Sequence, residues 1–400
     1  YGHFPQRNHS RTVSFNYKKM KYQLILYFIL TFSCIRCGNN ITRDCPVSSS
    51  DYYLTIDNKY QKCLSQIREN YAGDFYSNSA TYGYDIKTLK SAKELEILSL
   101  DELKSIKALF IEFENIQEID FKNLPNIEYV YLENVKEITT NLLELKKLEI
   151  LIIRSNKLKT IPEFIGDLKG LRVFAIISAS KLEKISNSIG NLPELEELYL
   201  NGLYNLDSIN LDFSKLKKLK RYVCDYNDTP WFVNSSITNC SNLIELRCKA
   251  VFPFIEKLEN LEILSITNLE KSDDLSFLKK LTNLEELACR FTGKEAHTFP
   301  EEILDLKNLR NLTIGTGEMS FIPIKNIKNL EYLWISGKIS NLDKFIYQQN
   351  KLSYLQVYSK DTIFLNDSVK NLSQLKVLKS NNKVILDFDV NQTNFKVISK

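Results

Sequence analysis

The sequence predicts an α/β solenoid, in which short parallel strands stack into one sheet and less regular segments lead from each strand to the next. The first observation is an apolar pattern, L-x-x-L-x-L, that recurs through three-quarters of the 400 residues at steps of 18 to 25 residues. The second is the small number of turn residues, 12 Gly and 9 Pro. One unit cannot bury its apolar face alone, but a stacked neighbour on each side can bury it.

The repeated pattern places its first, fourth and sixth residues toward the interior of the stack and the residues between them on the opposite face. An additional strand, Leu95-x-x-Leu98-x-Leu100, is expected before the series, and a truncated one starts at Phe395. The unit from Leu219 contains Pro230-Trp231-Phe232 and the next unit has only 18 residues, so we expect a local kink or bulge there. The pattern begins at Ile106, Ile127, Leu148, Leu171, Leu195, Leu219, Leu243, Leu261, Leu284, Leu309, Leu330, Leu352 and Leu375.

These units resemble the leucine-rich-repeat family in period and pattern. The turns at 161–168 and 185–192 are similar to the I-P-x-x-I-G-x-L turns of plant-type and bacterial members, and Asn283-Leu284 is similar to the family's lead-in to a strand. The resemblance implies a curved horseshoe with the parallel sheet on its concave face and irregular or helical segments on its convex face. The family's buried asparagine, nine residues into each repeat, is matched only by Asn156 and Asn227.

The chain divides into three parts: a leader at 1–33, a linker and N-terminal cap at 34–94, and an array of about 14 repeats at 95–400. The cap is predicted to contain a capping helix that ends near Gly73 and covers the apolar edge of the first repeat. Its apolar residues recur at helical spacing, on one face: Ile56, Tyr60, Cys63, Leu64, Ile67 and Tyr71.

The leader has the features of an export signal. Residues 20–33 combine a basic start with about a dozen apolar residues, too short a run to cross a bilayer, which takes ~20 residues. Residues 1–19 are interpreted as untranslated or fragmentary sequence ahead of a start at Met20. Ser33-Cys34 resembles a bacterial lipoprotein cleavage site of the relaxed form found in the Bacteroidetes, since Thr31 and Phe32 depart from the usual residues.

The export signal predicts where the mature chain resides. We expect Cys34 to be lipidated, which makes the protein an outer-membrane or cell-surface lipoprotein held to the membrane only by its lipid anchor. A freely secreted protein and a retained anchor are the alternatives.

The charge balance argues against nucleic acid as a partner. The whole chain has 53 basic and 49 acidic residues, a net charge of +4. The leader holds five of the bases and no acid, which leaves 48 bases against 49 acids. A nearly neutral mature chain has no general attraction for DNA or RNA.

No pattern indicates catalysis, a metal site or a cofactor, so the chain is predicted not to be an enzyme. The phosphate-binding, dinucleotide-binding, zinc-protease and nucleophile-elbow motifs do not occur. His297, the one histidine after the leader, is expected in a loop. Cys224, Cys248 and Cys289 occupy inward positions of their repeats and are expected to be packed thiols.

The third and fifth residues of each unit are predicted to face solvent on the concave face. They are apolar in the first four repeats, which makes an exposed patch on the order of 300 Å², the size at which such patches usually have a function. This exposure predicts that Tyr131→Ala and Trp334→Ala would change stability little. The expected partner is a protein, and carbohydrate or cell-wall adhesion, with Trp334 and nearby tyrosines stacking on sugar rings, is the alternative. The predicted partner-binding residues are Phe110, Tyr129, Tyr131, Ile152, Tyr199, Tyr332, Trp334 and Tyr354.

Overall fold

The computed structural model describes residues 86–398 except 207, 225–232, 293–295, 321–326, 341, 343–345, 347–348, 360–361, 382 and 388–394. The predicted leader, Cys34, the capping helix and Asn227 lie outside the described residues.

The predicted solenoid is confirmed, because the repeats form one long parallel sheet. Its path runs β1-β2-β3-β4-β5-β6-β7-β8-β9-β10-β12-β13-β14-β16-β18; β11 also pairs with β12, and β15 pairs with β17 in a separate two-stranded sheet. The strands are β1 (Ile86–Leu89), β2 (Ala108–Ile111), β3 (Tyr129–Glu133), β4 (Ile150–Arg154), β5 (Val173–Ile177), β6 (Glu197–Asn201), β7 (Arg221–Val223), β8 (Glu245–Cys248), β9 (Ile263–Leu269), β10 (Glu286–Phe291), β11 (Ala296–Thr298), β12 (Asn311–Ser320), β13 (Tyr332–Ser340), β14 (Tyr354–Tyr358), β15 (Ile363–Leu365), β16 (Val377–Ser380), β17 (Val384–Leu386) and β18 (Lys396–Ile398).

The segments that return the chain between strands are mostly single turns of 3-10 helix, as expected for the irregular side of such a repeat. Two short α-helices, α1 (Lys93–Glu96) and α2 (Leu100–Ser105), lie between β1 and β2. The 3-10 turns are Ile116–Glu118, Phe121–Asn123, Thr140–Glu144, Glu163–Asp167, Asn187–Asn191, Phe213–Lys215, Ser235–Asn239, Ile255–Lys257, Ser276–Lys280, Glu301–Asp305 and Asp367–Asn371.

The strand register confirms the alignment of repeats made from the sequence. Leu109, Val130 and Leu151, which are the fourth residues of consecutive units, pair directly across β2, β3 and β4. These residues and the apolar sixth residues of the units belong to one continuous apolar core. The core is therefore a stack of equivalent layers, and each layer is buried by its neighbours.

The strand predicted at Leu95–Leu100 is wrong, because this segment forms α1 and α2. Ser99 and Glu102 make a capping box: the Glu102 N–H donates to Ser99 Oγ at 3.3 Å, and the Ser99 N–H donates to Glu102 Oε2 at 2.8 Å. These bonds favour a helix start at Leu100, the last residue of the strand-like pattern. The sheet begins upstream at β1, whose Ile86 pairs with Ala108.

Asparagines before the first leucine of a unit join each layer to the previous one. Asn283, for example, donates from Nδ2 to the main-chain oxygen of Glu259 at 3.0 Å. The family's other asparagine position is filled differently here, since Asn156 is exposed. Ser155 is buried instead and donates from Oγ to the oxygen of Val135 at 2.5 Å. The lead-in bond to the previous layer is made by Asn126, Asn242, Asn260, Asn283, Asn308 and Asn329.

The expected bulge near the shortest repeat is not found in the described strands. Pairing passes in register from β7 to β8 and from β8 to β9, while 225–232 lies outside the described residues. Register shifts occur further along, between Cys289 and Phe291 and between Gly315 and Glu318.

Gly166 is a point where adjacent layers approach too closely for a side chain. A Cβ placed there would lie 2.5 Å from the main-chain oxygen of Ser188 on the next layer, whereas one on exposed Gly170 would meet nothing nearer than 3.4 Å. We expect Gly166→Ala to lower the free energy of unfolding by ~1–3 kcal/mol, the usual cost of overpacking. Urea denaturation measures this change, and Gly170→Ala is the matched control. Equal midpoints for the two variants would contradict the predicted clash.

Candidate functional site

The third and fifth residues of the units form two rows on the side of the sheet opposite the core, which we call the ladder face. The alternation predicted from the sequence is confirmed, because residues of both rows are absent from the apolar core cluster although many are apolar. The third-position row runs Ala108, Tyr129, Ile150, Val173, Glu197, Arg221, Glu245, Ile263, Glu286, Asn311, Tyr332, Tyr354, Val377. The fifth-position row runs Phe110, Tyr131, Ile152, Ala175, Tyr199, Val223, Arg247, Ser265, Ala288, Thr313, Trp334, Gln356, Lys379.

The first part of the ladder face is buried, so the predicted exposure of its apolar patch is wrong. Exposed fractions are 2% for Phe110, 1% for Tyr129, 7% for Tyr131, and 3% for both Ile152 and Tyr199. Part of this burial comes from the rows themselves: the rings of Phe110 and Tyr131 on adjacent strands have centroids 4.8 Å apart. Large side chains repeated at the ~4.8 Å spacing of strands fill the space beside one another.

A carboxyl group at the end of β3 is perturbed by this environment. Tyr131 donates from its hydroxyl to Glu133 Oε2 at 3.1 Å, and the Arg154 guanidinium lies 3.9 Å from Glu133 Oε1. Burial raises the pKa of Glu133 from 4.5 to about 7, although the bond from Tyr131 acts to lower it. Glu133 therefore titrates near neutral pH, beside the predicted binding residue Tyr131.

The middle of the ladder face holds a buried chain of ion pairs between residues of β6, β7, β8 and β10. Arg221 donates from Nη1 to Glu197 Oε1 at 2.7 Å and from Nε to Glu245 Oε2 at 3.1 Å. Arg247 continues the chain, from Nε to Glu245 Oε1 at 2.6 Å and from Nη2 to Glu286 Oε1 at 3.2 Å. All five side chains are at most 13% exposed.

The charges of this chain do not balance, because three carboxylates share two guanidinium groups. Burial raises the pKa of both end carboxyls, Glu197 and Glu286, although their arginine partners act to lower it. Tyr199 supports one end by donating its hydroxyl to Glu197 Oε2 at 2.7 Å. The sequence showed a mainly charged middle, and the structure adds that these charges are paired and buried.

Aromatic side chains dominate the last part of the ladder face. The rings of Tyr332 and Tyr354, on neighbouring strands, are stacked with centroids 5.1 Å apart and planes 13° apart. The predicted exposure of Trp334 is wrong: its side chain is 4% exposed, and its ring lies 5.7 Å from that of Tyr358, at a tilt. Unlike the residues of the first part, both stacked tyrosines are only partly buried. Of the two predicted binding regions, this one retains accessible aromatic surface.

Two buried amide side chains of the ladder face, one on β12 and one on β14, each have an unpaired polar atom. Asn311 is 7% exposed and Gln356 is 3% exposed. Among the described residues, neither Asn311 Oδ1 nor Gln356 Nε2 has a hydrogen-bond partner. The other end of Gln356 accepts from the Tyr354 hydroxyl at 3.4 Å. The amide pair was not predicted from the sequence, where its signal is two amides among apolar and aromatic residues at ladder positions.

The inward cysteines form a separate feature, in the core. Cys224, Cys240, Cys248 and Cys289 are buried free thiols, as expected for the three of them that were predicted. Val223 pairs with Arg247, which makes Cys224 and Cys248 neighbours on adjacent strands, and the Cys224 N–H donates to the Arg247 oxygen at 2.8 Å. Burial raises the pKa of Cys289 to about 12.

We expect these buried thiols to react slowly with a thiol reagent in the native protein. Burial blocks access to all four thiols, and the raised pKa of Cys240 and Cys289 leaves little reactive thiolate at those two. Counting labelled thiols by mass spectrometry after a timed exposure, in native buffer and in urea, measures the difference. Peptide mapping restricts the count to Cys224, Cys240, Cys248 and Cys289. Fast native labelling at Cys224 or Cys248 would contradict the register of β7 and β8.

The described region has few other side-chain clusters of the kinds that act in catalysis or metal binding. His297 was expected in a loop but lies in β11, where it is 4% exposed and its ring packs 5.0 Å from that of Phe291. The described residues include no group of three or more potential metal ligands. Among the described helices, none is long and apolar enough to cross a membrane.

Known structures are similar to this chain along most of its length. An internalin (InlF) from Listeria monocytogenes is 20% identical over 75% of this chain and 88% of its own, with a TM-score of 0.52. A leucine-rich-repeat protein from Leptospira interrogans is 19% identical over 75% and 86%, with a TM-score of 0.49. No protein-family model and no curated protein matches the chain. The likeness to the internalin shows a shared leucine-rich-repeat fold.

Proposed function

Because the chain has a leucine-rich-repeat fold, we propose that it is a non-enzymatic binding module that holds a protein partner on its ladder face. The observation that carries this proposal is the partly exposed tyrosine stack of Tyr332 and Tyr354 beside Trp334. Aromatic residues of this kind provide most of the binding energy at many protein interfaces. Rows from successive repeats place residues more than twenty positions apart in sequence side by side, which gives one continuous contact surface.

Burial divides the predicted binding residues into two groups with different roles. Phe110, Tyr129 and Tyr131 are buried; the rings of Phe110 and Tyr131 pack against each other and the Tyr131 hydroxyl is paired with Glu133, so we assign this group to stability. Tyr332 and Tyr354 keep accessible surface and are assigned to the contact. The proposed contact region is therefore centred on strands β13 and β14.

Site-specific photo-crosslinking tests this assignment. A photoreactive phenylalanine analogue at position 354 is expected to crosslink one protein from a surface extract of the source cells. The same analogue at Tyr204, which is 40% exposed and follows β6, is the matched control. A Tyr332→Ala, Tyr354→Ala double variant should not compete with the crosslinking of the probe protein. Equal labelling from the two positions would count against the ladder face as the contact.

Carbohydrate adhesion is the competing function, and a glycan array distinguishes it from protein binding. Stacking on a sugar needs an open aromatic face, whereas Trp334 is 4% exposed and the two tyrosines cover one another. If the partner is a protein, the glycan array should show no signal that depends on Trp334. A glycan signal with that dependence would replace the protein proposal.

We also propose that the protein is exported and tethered at the cell surface through a lipid on Cys34. The basis is the short apolar run before Ser33-Cys34. Cys34→Ala is expected to move the protein from the membrane fraction to the soluble fraction, because a single residue carries the anchor. Fractionation with intact-mass analysis measures this shift, and Cys37→Ala is the matched control. A Cys34→Ala protein that still sediments with membranes would contradict the lipid anchor.

A further inference from the structure

We propose that strands β12 to β16 bind an extended peptide segment of the partner, with Asn311 and Gln356 hydrogen-bonding to its main chain. This inference rests on the proposed function and specifies the form in which the partner is recognised. Its starting point is the pair of buried amides whose Asn311 Oδ1 and Gln356 Nε2 have no hydrogen-bond partner among the described residues.

An unpaired buried polar atom lowers the stability of a folded protein, because it has lost its hydrogen bonds to water and has formed none within the protein. Buried polar atoms in folded proteins are therefore almost always paired. Asn311 Oδ1 is an acceptor and Gln356 Nε2 is a donor. A peptide main chain supplies the complement of both, an N–H for Asn311 and a carbonyl oxygen for Gln356.

The spacing of the two amides suits an extended chain that crosses the strands. Asn311 lies on β12 in the third-position row, and Gln356 lies on β14 in the fifth-position row, two strands further on. Two strand steps are about 10 Å and two residues along a strand are about 7 Å, so the two positions lie about 12 Å apart. An extended peptide rises ~3.3 Å per residue, so about four residues of peptide bridge the two amides.

The side chains between the amides are aromatic. Tyr332 and Trp334 occupy the intervening strand β13, and Tyr332 stacks on Tyr354. Tyr332 and Tyr354 are partly exposed and offer an apolar contact for a peptide side chain, whereas Trp334 is buried and offers no open ring face to a sugar. This arrangement favours a peptide over a glycan as the ligand.

The charge of Lys379 favours an acidic group at one end of the bound peptide. Lys379, on β16, pairs with Gln356 in the register and is partly exposed. At the other end, Glu286 on β10 already has Arg247 as its ion-pair partner. A carboxylate on the peptide, from an acidic side chain or the C-terminus, would therefore favour the Lys379 end.

The test selects peptides on the protein and then removes the unpaired donor. A phage-displayed library of random dodecapeptides is panned on the wild-type chain, and enriched peptides are synthesised for affinity measurement. Gln356→Met keeps the side-chain length but removes both polar atoms. We expect Gln356→Met to weaken peptide binding at least tenfold while the urea midpoint stays unchanged or rises. A merely structural glutamine would give a lower midpoint instead.

Two further variants sharpen the result. Lys379→Gln is expected to lower the affinity for acidic peptides several-fold and to remove the salt dependence of their binding. Ser265→Ala, a buried ladder-face residue on β9, is the matched control and should leave peptide affinity unchanged.

Three outcomes would overturn the inference: no enriched peptide, enriched peptides that bind Gln356→Met as well as wild type, or a glycan whose binding needs Gln356. A protein that crosslinks at position 354 yet binds Gln356→Met normally would overturn this inference alone. The proposed protein-binding function would then stand.

Discussion

Replacing Arg221 by methionine is expected to lower the free energy of unfolding by about 3–5 kcal/mol at pH 7, the usual cost of removing one partner of a buried ion pair. Arg221 is 10% exposed and pairs with both Glu197 and Glu245. Methionine conserves much of the side-chain volume, so the loss reflects charge rather than a cavity. Urea denaturation monitored by circular dichroism measures the change.

The pH dependence of this loss identifies its cause. Burial already raises the pKa of Glu197 above 4.5, and removing Arg221 should raise it further. A carboxyl whose folded pKa is raised contributes stability below its unfolded pKa, and this contribution is lost as pH rises. The Arg221→Met penalty should therefore be largest near neutral pH and should shrink as the pH falls toward 4.5.

Arg172→Met is the matched control for Arg221→Met. Arg172 also bridges two carboxylates, Glu149 and Glu196, but it is 33% exposed. Exposed ion pairs contribute ~0–1 kcal/mol, so we expect a loss of that size without a strong pH dependence. Equal losses for the two variants, or an Arg221→Met loss that is constant with pH, would show that the buried charges are not what stabilises the middle repeats.

The sequence was sufficient to predict the strands because the same spacing of apolar residues recurs in every repeat. The apolar residues at the fourth and sixth positions, such as Leu151 and Ile153, occur at a spacing that no other regular structure explains. A single unit judged alone was less reliable, as Leu95–Leu100 shows. There the pattern of a strand competes with the local bonds between Ser99 and Glu102, and the helix-capping bonds prevail.

The properties of the ladder face were harder to predict, because the burial and hydrogen bonding of a side chain depend on neighbours that are distant in the sequence. Nothing in the residues around Tyr131 indicates that it is 7% exposed. Nor does the composition near Gln356 reveal an unpaired Nε2, which requires the register of three strands. Position on the ladder face follows from the repeat, whereas accessibility follows only from the packed structure.

Tyr131→Ala provides the direct test of that difference, and we expect it to lower the free energy of unfolding by about 3–5 kcal/mol, as for other buried aromatic residues truncated to alanine. The variant removes a ring that packs 4.8 Å from Phe110 and a hydroxyl that donates to Glu133. Tyr131→Phe keeps the ring and loses only the hydrogen bond, so about 1 kcal/mol is expected from urea denaturation. Tyr204→Ala, at a 40% exposed tyrosine, should change stability by less than ~1 kcal/mol. If Tyr131→Ala resembles Tyr204→Ala, the first repeats present an open apolar patch, and the ligand contact extends to them.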